Sequence, residues 1–282
     1  MTVRIVTDST ADLPVELAAK HRIEVVPLTV LFGDEALLDG VDIDTDTFFE
    51  RLARSPELPT SSQPSPAAFR ERYEQLVREG ATEILSIHLA GSLSGTLASA
   101  QQGAEGLDVR VEHVDSGLAS LALGLGVLKA GRVIEAGGSL DEAKAQVEDQ
   151  FSRTRAYFVL DTLDYLLHGG RIGRVSHVFG TMLKVKPVLT FENGEVVQLA
   201  RARTQAKALE KGIELAQERF PLEVAGTMHA VAPERMQAVA DRLHELAPDV
   251  PIVTGTLGPT IGVHAGPGAV GFTVISSPAP GG

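Results

Sequence analysis

ILSIHLAGSLSGTLASA, residues 84–100, decides how the rest of the chain is read. Ile84–Leu89 is an apolar run of strand length. Ala90-Gly91-Ser92-Leu93-Ser94-Gly95-Thr96 then reads as a tight turn, and Leu97 onward as the first turns of a helix. A strand, a Ser/Gly loop and a helix start bring backbone N–H groups and hydroxyls to one point, faced by the positive end of the helix dipole. Such a point suits one anionic oxygen group, phosphate or carboxylate. A Walker loop would need a Lys before the hydroxyl residue, and residues 91–96 have none. A hydrolase elbow would need Ser at the centre of Gly-x-Ser-x-Gly, where Leu93 stands. The loop therefore reads as an anion cradle. By itself it leaves open the plainer alternative of an ordinary capped helix start.

Working outward, strands and helices alternate. Val3–Val6 is a β-branched strand followed by Thr7-Asp8-Ser9-Thr10. Asp12-Leu13-Pro14 opens a helix. Ile23–Leu31 reads as a second strand interrupted by Pro27, which marks an edge or a bend, and Phe32–Asp42 as a loop or hairpin. Asp44 or Thr45 caps a helix to about Arg54. Pro59–Pro66 reads as a rigid hydroxyl-rich loop, with Ser65-Pro66 starting the helix Ala67–Glu79. Val109–Val114 is a further strand ending in Asp115-Ser116. The Gly/Ala-rich run Leu118–Leu128 is too short to span a bilayer and reads as a fully buried helix. This alternation predicts a parallel sheet covered by helices, with the Asp8-Ser9, Ser92–Thr96 and Asp115-Ser116 loops together at the carboxyl ends of its strands.

After about Arg153 the pattern changes. Tyr157–Leu160, Val185–Phe191, Val196–Arg203, Glu223–Ala230, Pro251–Leu257 and Ala269–Ile275 read as strands, and Gln205–Arg219 and Pro233–Leu246 as amphipathic helices. Asn193-Gly194 between two β runs is a hairpin signal. The expected fold class is α/β: an N-terminal parallel-sheet α/β domain (1–152), a C-terminal α+β domain with a mostly antiparallel sheet (153–276), and a flexible tail (277–282).

Composition narrows the function classes. The chain has 282 residues, no Cys, no Trp, 5% aromatics and a formal net charge of −12. No disulfide or thiolate chemistry is possible, and neither the charge nor the aromatic content favours nucleic-acid binding. Asp8 follows too closely on the N-terminus for a secretory signal, so a cytoplasmic location is expected. No His pair has helical ligand spacing and no acidic cluster has calcium-loop spacing, so no metal is expected. The acids Asp34, Glu35, Asp39, Asp42, Asp44 and Asp46 read as a solvated face. His264 lies in a second glycine-dense stretch, Leu257–Gly268, and reads as a hydrogen-bond donor to an anion, as a phosphorylated or general-base His, or as a turn residue without a ligand. Ser61 and Ser62 supply two hydroxyls from a loop bracketed by prolines. Arg171, Arg174, Lys184, Lys186, Arg201, Arg203, Lys207 and Lys211 form basic stretches that suit a phosphorylated product or an acidic partner, or are scattered surface charge.

Together these residues carry a resemblance. Val6-Thr7-Asp8-Ser9-Thr10-Ala11-Asp12-Leu13-Pro14, Val26-Pro27-Leu28, Ser61-Ser62-Gln63-Pro64-Ser65, Leu93-Ser94-Gly95-Thr96, Gly169-Gly170-Arg171-Ile172, Lys186-Pro187-Val188-Leu189 and His264-Ala265-Gly266-Pro267-Gly268 resemble, in order, motifs of the DegV family. These are bacterial fatty-acid-binding proteins that serve a fatty acid kinase. The resemblance spans nearly the whole chain. It implies an acyl chain in a buried tunnel, its carboxylate held by Ser61, Ser94 and His264, with Ser62 and the Gly95 amide in support. Three positions depart from the family: Ser61 stands where Thr is usual, and Ala90 and Gly91 where serines are common. Phe158, Leu163, Leu166, Phe179, Met182 and Leu183 are candidate tunnel residues or plain core.

The resemblance implies a carrier and not an enzyme. It would hold a long-chain fatty acid such as palmitate, without a cofactor, and present it to a separate ATP-dependent kinase that forms the acyl phosphate. A sixteen-carbon tail buries about 14 methylenes, roughly 11 kcal/mol gross, which an unpartnered buried carboxylate would erode by several kcal/mol. Arg171, Arg174, Arg201 and Arg203 are the expected kinase-facing residues. A monomer with at most transient membrane contact is expected. The competing readings are an enzyme or phosphocarrier working through His264, and a regulatory module that binds a partner and no lipid.

Overall fold

The computed structural model describes residues 2–174 and 185–279. Four strands, β1 (Val3–Asp8), β2 (Ile23–Val26), β6 (Glu83–His88) and β7 (Arg110–Asp115), form a parallel sheet in the order β2-β1-β6-β7. One face is covered by α3 (Pro66–Arg78) and α4 (Thr96–Ala104), where Phe69, Tyr73 and Leu76 pack on Val6, Val26 and Ile84. The chain leaves this sheet through α6 (Leu140–Arg153), opened by a Ser139/Glu142 capping box, and enters a second sheet at β8 (Thr154–Val159).

The second sheet has six strands. To β8 it adds β9 (Lys186–Glu192), β10 (Glu195–Ala202), β11 (Leu222–His229), β12 (Ile252–Thr256) and β13 (Val270–Ser276), in the order β10-β9-β8-β13-β11-β12. Every pairing is antiparallel except β11 with β12. The sheet is therefore mostly antiparallel, as the hairpin signals predict. The amphipathic helices α8 (Gln205–Ala216) and α9 (Pro233–Leu246) cover its outer face. Between the two sheets lies α5 (Leu121–Glu135), packed on β1 on one side and on β8 and β11 on the other. This double contact explains why its sequence is apolar all round.

Three local readings are corrected. The stretch Ile23–Leu31 is not one bent strand. Pro27 separates β2 from β3 (Thr29–Phe32), which joins a different, three-stranded sheet with β4 (Glu35–Leu38) and β5 (Thr60–Ser62). The Pro-bracketed loop 59–66 thus contains a strand, because Thr60–Ser62 find backbone partners on Thr29–Leu31. The buried helix begins at Leu121, not Leu118, since the Ser116 hydroxyl closes a turn onto the Leu118 N–H at 3.1 Å.

Candidate functional site

The loops after β1, β6 and β7 meet at the carboxyl ends of the parallel strands. Ser94, in the loop after β6, lies 2.8 Å from the Thr96 hydroxyl and accepts from the Thr96 N–H at 3.3 Å. Ser94 thus closes a turn at the start of α4. Ser61 is set by strand register, opposite Val30 of β3. Its Oγ lies 2.8 Å from Nε2 of His264.

His264 is not on a turn. It sits on α10 (Pro259–Ala265), a helix that survives Gly262 because its surroundings hold it. Its first turn is capped from elsewhere: the Gly258 N–H donates to Asp12 at 3.0 Å and the Thr260 N–H to Asp39 at 3.3 Å. Asp39 is thus buried and part of the α10 seat, which corrects its assignment to a solvated acidic face. Burial pushes both carboxyls up, against the hydrogen bonds that lower them. α10 also packs tightly on α2 (Thr45–Arg54), where a Cβ at Gly262 would come within 2.6 Å of the Phe48 ring.

Gly169 and Arg171 complete the surroundings of the imidazole. Gly169 follows α7 (Asp164–His168), and a Cβ there would lie 2.1 Å from His264 Nδ1. Arg171 donates from Nε to the Leu93 carbonyl at 3.0 Å and from a terminal N–H to the Gly169 carbonyl at 2.6 Å. It ties the Ser94 loop to the glycine turn over His264. Burial first, then the Arg171 cation and His168, hold the His264 ring down to about 4. The ring is neutral at neutral pH, and its Nδ1 is buried without a protein partner.

This depression predicts an acid sensitivity. In the unfolded chain His264 takes up a proton near pH 6.5, whereas in the fold it does so only near pH 4. Above about pH 6.5 the group makes stability no more pH-dependent. As pH falls from there towards 4 the unfolded state binds the extra proton, and about 3 kcal/mol of stability is lost. Denaturant titrations of the wild type and His264→Gln, free of ligand, at pH 7 and pH 4.5 check this. The variant should lose less stability than the wild type on acidification, and equal losses would assign the sensitivity elsewhere.

His264 and Arg171 border apolar space. A cavity of about 90 Å³ is lined by Leu93, Phe158, Leu166, Arg171, Val196 and His264, among others. A second, of about 80 Å³ and almost wholly apolar, lies between α5 and the large sheet. Phe158, Leu160, Phe191 and Ala265 line both, so the two are adjacent. Small residues leave this room: Ala119 and Ala122 on the α5 side, Ala156 and Gly271 on the sheet side.

Of the residues singled out in the sequence, Ser61 and His264 are in direct contact, whereas Ser94 bonds to Thr96 in its own loop, beside Leu93, whose carbonyl accepts from Arg171. Ser62 alternates to the exposed face of β5. At Gly95 a Cβ would collide with the Gln63 side chain, which also donates to Ser99 at 3.1 Å. Gln63 and Gly169 are the members that the sequence reading did not single out. Arg174, Arg201 and Arg203 are exposed, whereas Arg171 is engaged inside the site. Phe158 and Leu166 line the cavity and Leu163 is core, while Phe179, Met182, Leu183 and Lys184 lie outside the described residues.

A second constellation looks catalytic and is not. His88 stands 2.8 Å from Asp8 and 2.7 Å from Ser86, whose hydroxyl is 2.7 Å from Tyr73. All four side chains are fully buried, and Ser86 is closed off by Tyr73, so no substrate reaches it. Among the described residues there is no group of three His, Asp or Glu arranged to hold a metal ion, and no helix is long and apolar enough to cross a membrane.

A cluster of Ser61, His264 and Arg171 beside two adjacent apolar cavities, with two sheets enclosing one buried helix, is the arrangement of this fold. The chain belongs to the DegV family, whose sequence profile, described as "uncharacterised protein, DegV family", matches residues 2–277. A DegV domain-containing protein of Streptomyces coelicolor is 42% identical over 278 residues, covering 97% of this chain and 98% of its own. A DegV family protein from Thermus thermophilus, described as fatty-acid-binding, has a similar structure, with a TM-score of 0.91 at 35% identity over 98% of this chain and 100% of its own. DegV of Bacillus subtilis, described as a fatty acid binding protein, gives 0.90 at 34% over the same shares.

Proposed function

We propose that this chain binds a long-chain fatty acid and presents its carboxylate to a separate ATP-dependent kinase that forms the acyl phosphate. The carrying observation is the Ser61–His264 pair, 2.8 Å apart, whose imidazole lines an apolar cavity. With its proton on Nε2, His264 donates to Ser61 and leaves the Ser61 proton free for an anion. Ser94, at the start of α4, supplies a second hydroxyl beside the helix dipole. Fatty-acid binding by the Thermus and Bacillus relatives supports the same reading.

The neutral ring suits the task. A carboxylate entering beside His264 favours the imidazolium, so binding draws the ring up from about 4 and takes up a proton where the two values straddle the pH. The phosphocarrier alternative has less support, because the ring is fixed on a packed helix and Gly169 covers its Nδ1.

The test is mass spectrometry of the purified protein, native and then denatured and extracted. A stoichiometric fatty acid released only on denaturation is the expected result. A protein that is empty and takes up no added fatty acid overturns the reading. For the kinase step, the exposed Arg174 and Arg201 are the proposed contacts. The double reversal Arg174→Glu, Arg201→Glu should lower acyl phosphate formation at least tenfold with lipid content unchanged. Undiminished formation would place the contact elsewhere.

A further inference from the structure

Beyond the Ser61–His264 pair, the apolar cavities come close to a solvent-filled cleft. A cleft of about 620 Å³ opens between the loops after β6 and β7, the end of α6 and the β9–β10 hairpin. It is polar, with Asp115, an Arg155–Glu192 ion pair at 2.9 Å, and the Ser92 hydroxyl donating to the Gly194 carbonyl at 2.8 Å. Among the described residues, Phe191 alone lines this cleft and both apolar cavities.

Strand alternation explains its position. On β9, Val188 faces the outer helices, whereas Leu189 and Phe191 face the space between the sheets. The Phe191 ring lies 5.1 Å from that of Phe158, and it packs against the Leu118, Ala122 and Ala156 cluster. It is half-buried, as a ring with one apolar and one wet side must be.

We infer that Phe191 is a specificity-determining residue, the partition that ends the acyl chamber on the side of the polar cleft and so limits which chains the protein holds. The inference rests on the fatty-acid reading above. A methylene passing the ring would meet charges and backbone dipoles instead of hydrocarbon. Removing the ring joins the chamber to the cleft and makes room for longer chains along the Ala122–Ala156 wall. A larger ring shortens the chamber.

The experiment offers the purified protein an equimolar mixture of saturated acids from myristate to behenate and reads the bound masses after extraction. Each further methylene that stays buried is worth about fourfold. Phe191→Ala should therefore enrich the longest acids roughly tenfold over the wild type, and Phe191→Trp should shift the distribution to shorter ones. Identical distributions in folded wild type, Phe191→Ala and Phe191→Trp overturn the inference while leaving fatty-acid binding intact. A folded Phe191→Ala that takes up no acid, with Phe191→Trp unchanged, also overturns it, because that is lost packing and not a moved limit. If Phe191→Ala fails to fold, Phe191→Leu and Phe191→Trp carry the same opposed expectation. A wild type that takes up no acid sinks the fatty-acid reading, and the inference with it.

Discussion

Gly169→Ala is expected to fold and to lose its fatty acid. Gly169 has φ −72° and ψ −6°, a conformation alanine adopts freely, so the backbone does not resist the change. The obstacle is the imidazole. The added methyl would lie 2.1 Å from Nδ1 and 2.6 Å from Cε1 of His264, far inside contact distance. α10 cannot retreat, because Phe48 and Phe49 close behind Gly262. The ring must therefore rotate out of its place, and the Ser61 contact breaks. The stability cost should stay near 1–3 kcal/mol, the usual range for overpacking one site. The binding loss should exceed tenfold. Bound lipid by extraction mass spectrometry and Tm by calorimetry separate the two effects. A variant with full lipid content would show that the ring does not hold the head group.

His264→Ala is expected to have the largest effect on affinity. It removes the imidazole that orients the Ser61 hydroxyl towards the anion and that, once protonated, offsets the buried negative charge. Losing a partner to a charged group in such a place costs about 3 kcal/mol, roughly a hundredfold in Kd. Ser61→Ala should cost less, since a neutral hydroxyl is worth about 1 kcal/mol. Ser61→Thr keeps the hydroxyl and should bind as the wild type does. Displacement of a fluorescent fatty acid gives the order His264→Ala, Ser61→Ala, Ser61→Thr from weakest to strongest. Equal affinity of His264→Ala and wild type would remove His264 from the site.

Much of the architecture was legible because it is written locally. Strand-length apolar runs, Ser and Asp caps and the Asn-Gly hairpin each act within a few residues. The cradle at Ser94 was legible for the same reason. What escaped depends on distant partners. Thr60–Ser62 looks like loop because two prolines flank it, yet β3 supplies its hydrogen bonds from thirty residues earlier. The 257–268 stretch looks like turn because of its glycines, and becomes helix because Asp12 and Asp39 cap it from across the fold. Asp39 itself looks solvated among neighbouring acids, and nothing near it in sequence points to the Thr260 N–H. Gly169 and Gln63 carry no local sign of their roles, because each works by leaving or filling space beside a residue far along the chain.

The strand order of the large sheet also bears on how the molecule is made. β13 lies between β8 and β11, which do not pair with each other. Gly271 and Thr273 of β13 form part of the chamber wall beside Ala156 of β8. As a nascent chain grows, β8 to β12 leave the ribosome with that sheet still in two pieces. The joint closes only when residues 270–276 slot in, a long-range pairing that comes late in folding. A ribosome-bound intermediate therefore exposes apolar surface but has no enclosed chamber. A fatty acid bound as proposed would then be taken up by the finished chain and not during its synthesis, and the unfinished one is the form most in need of chaperone cover.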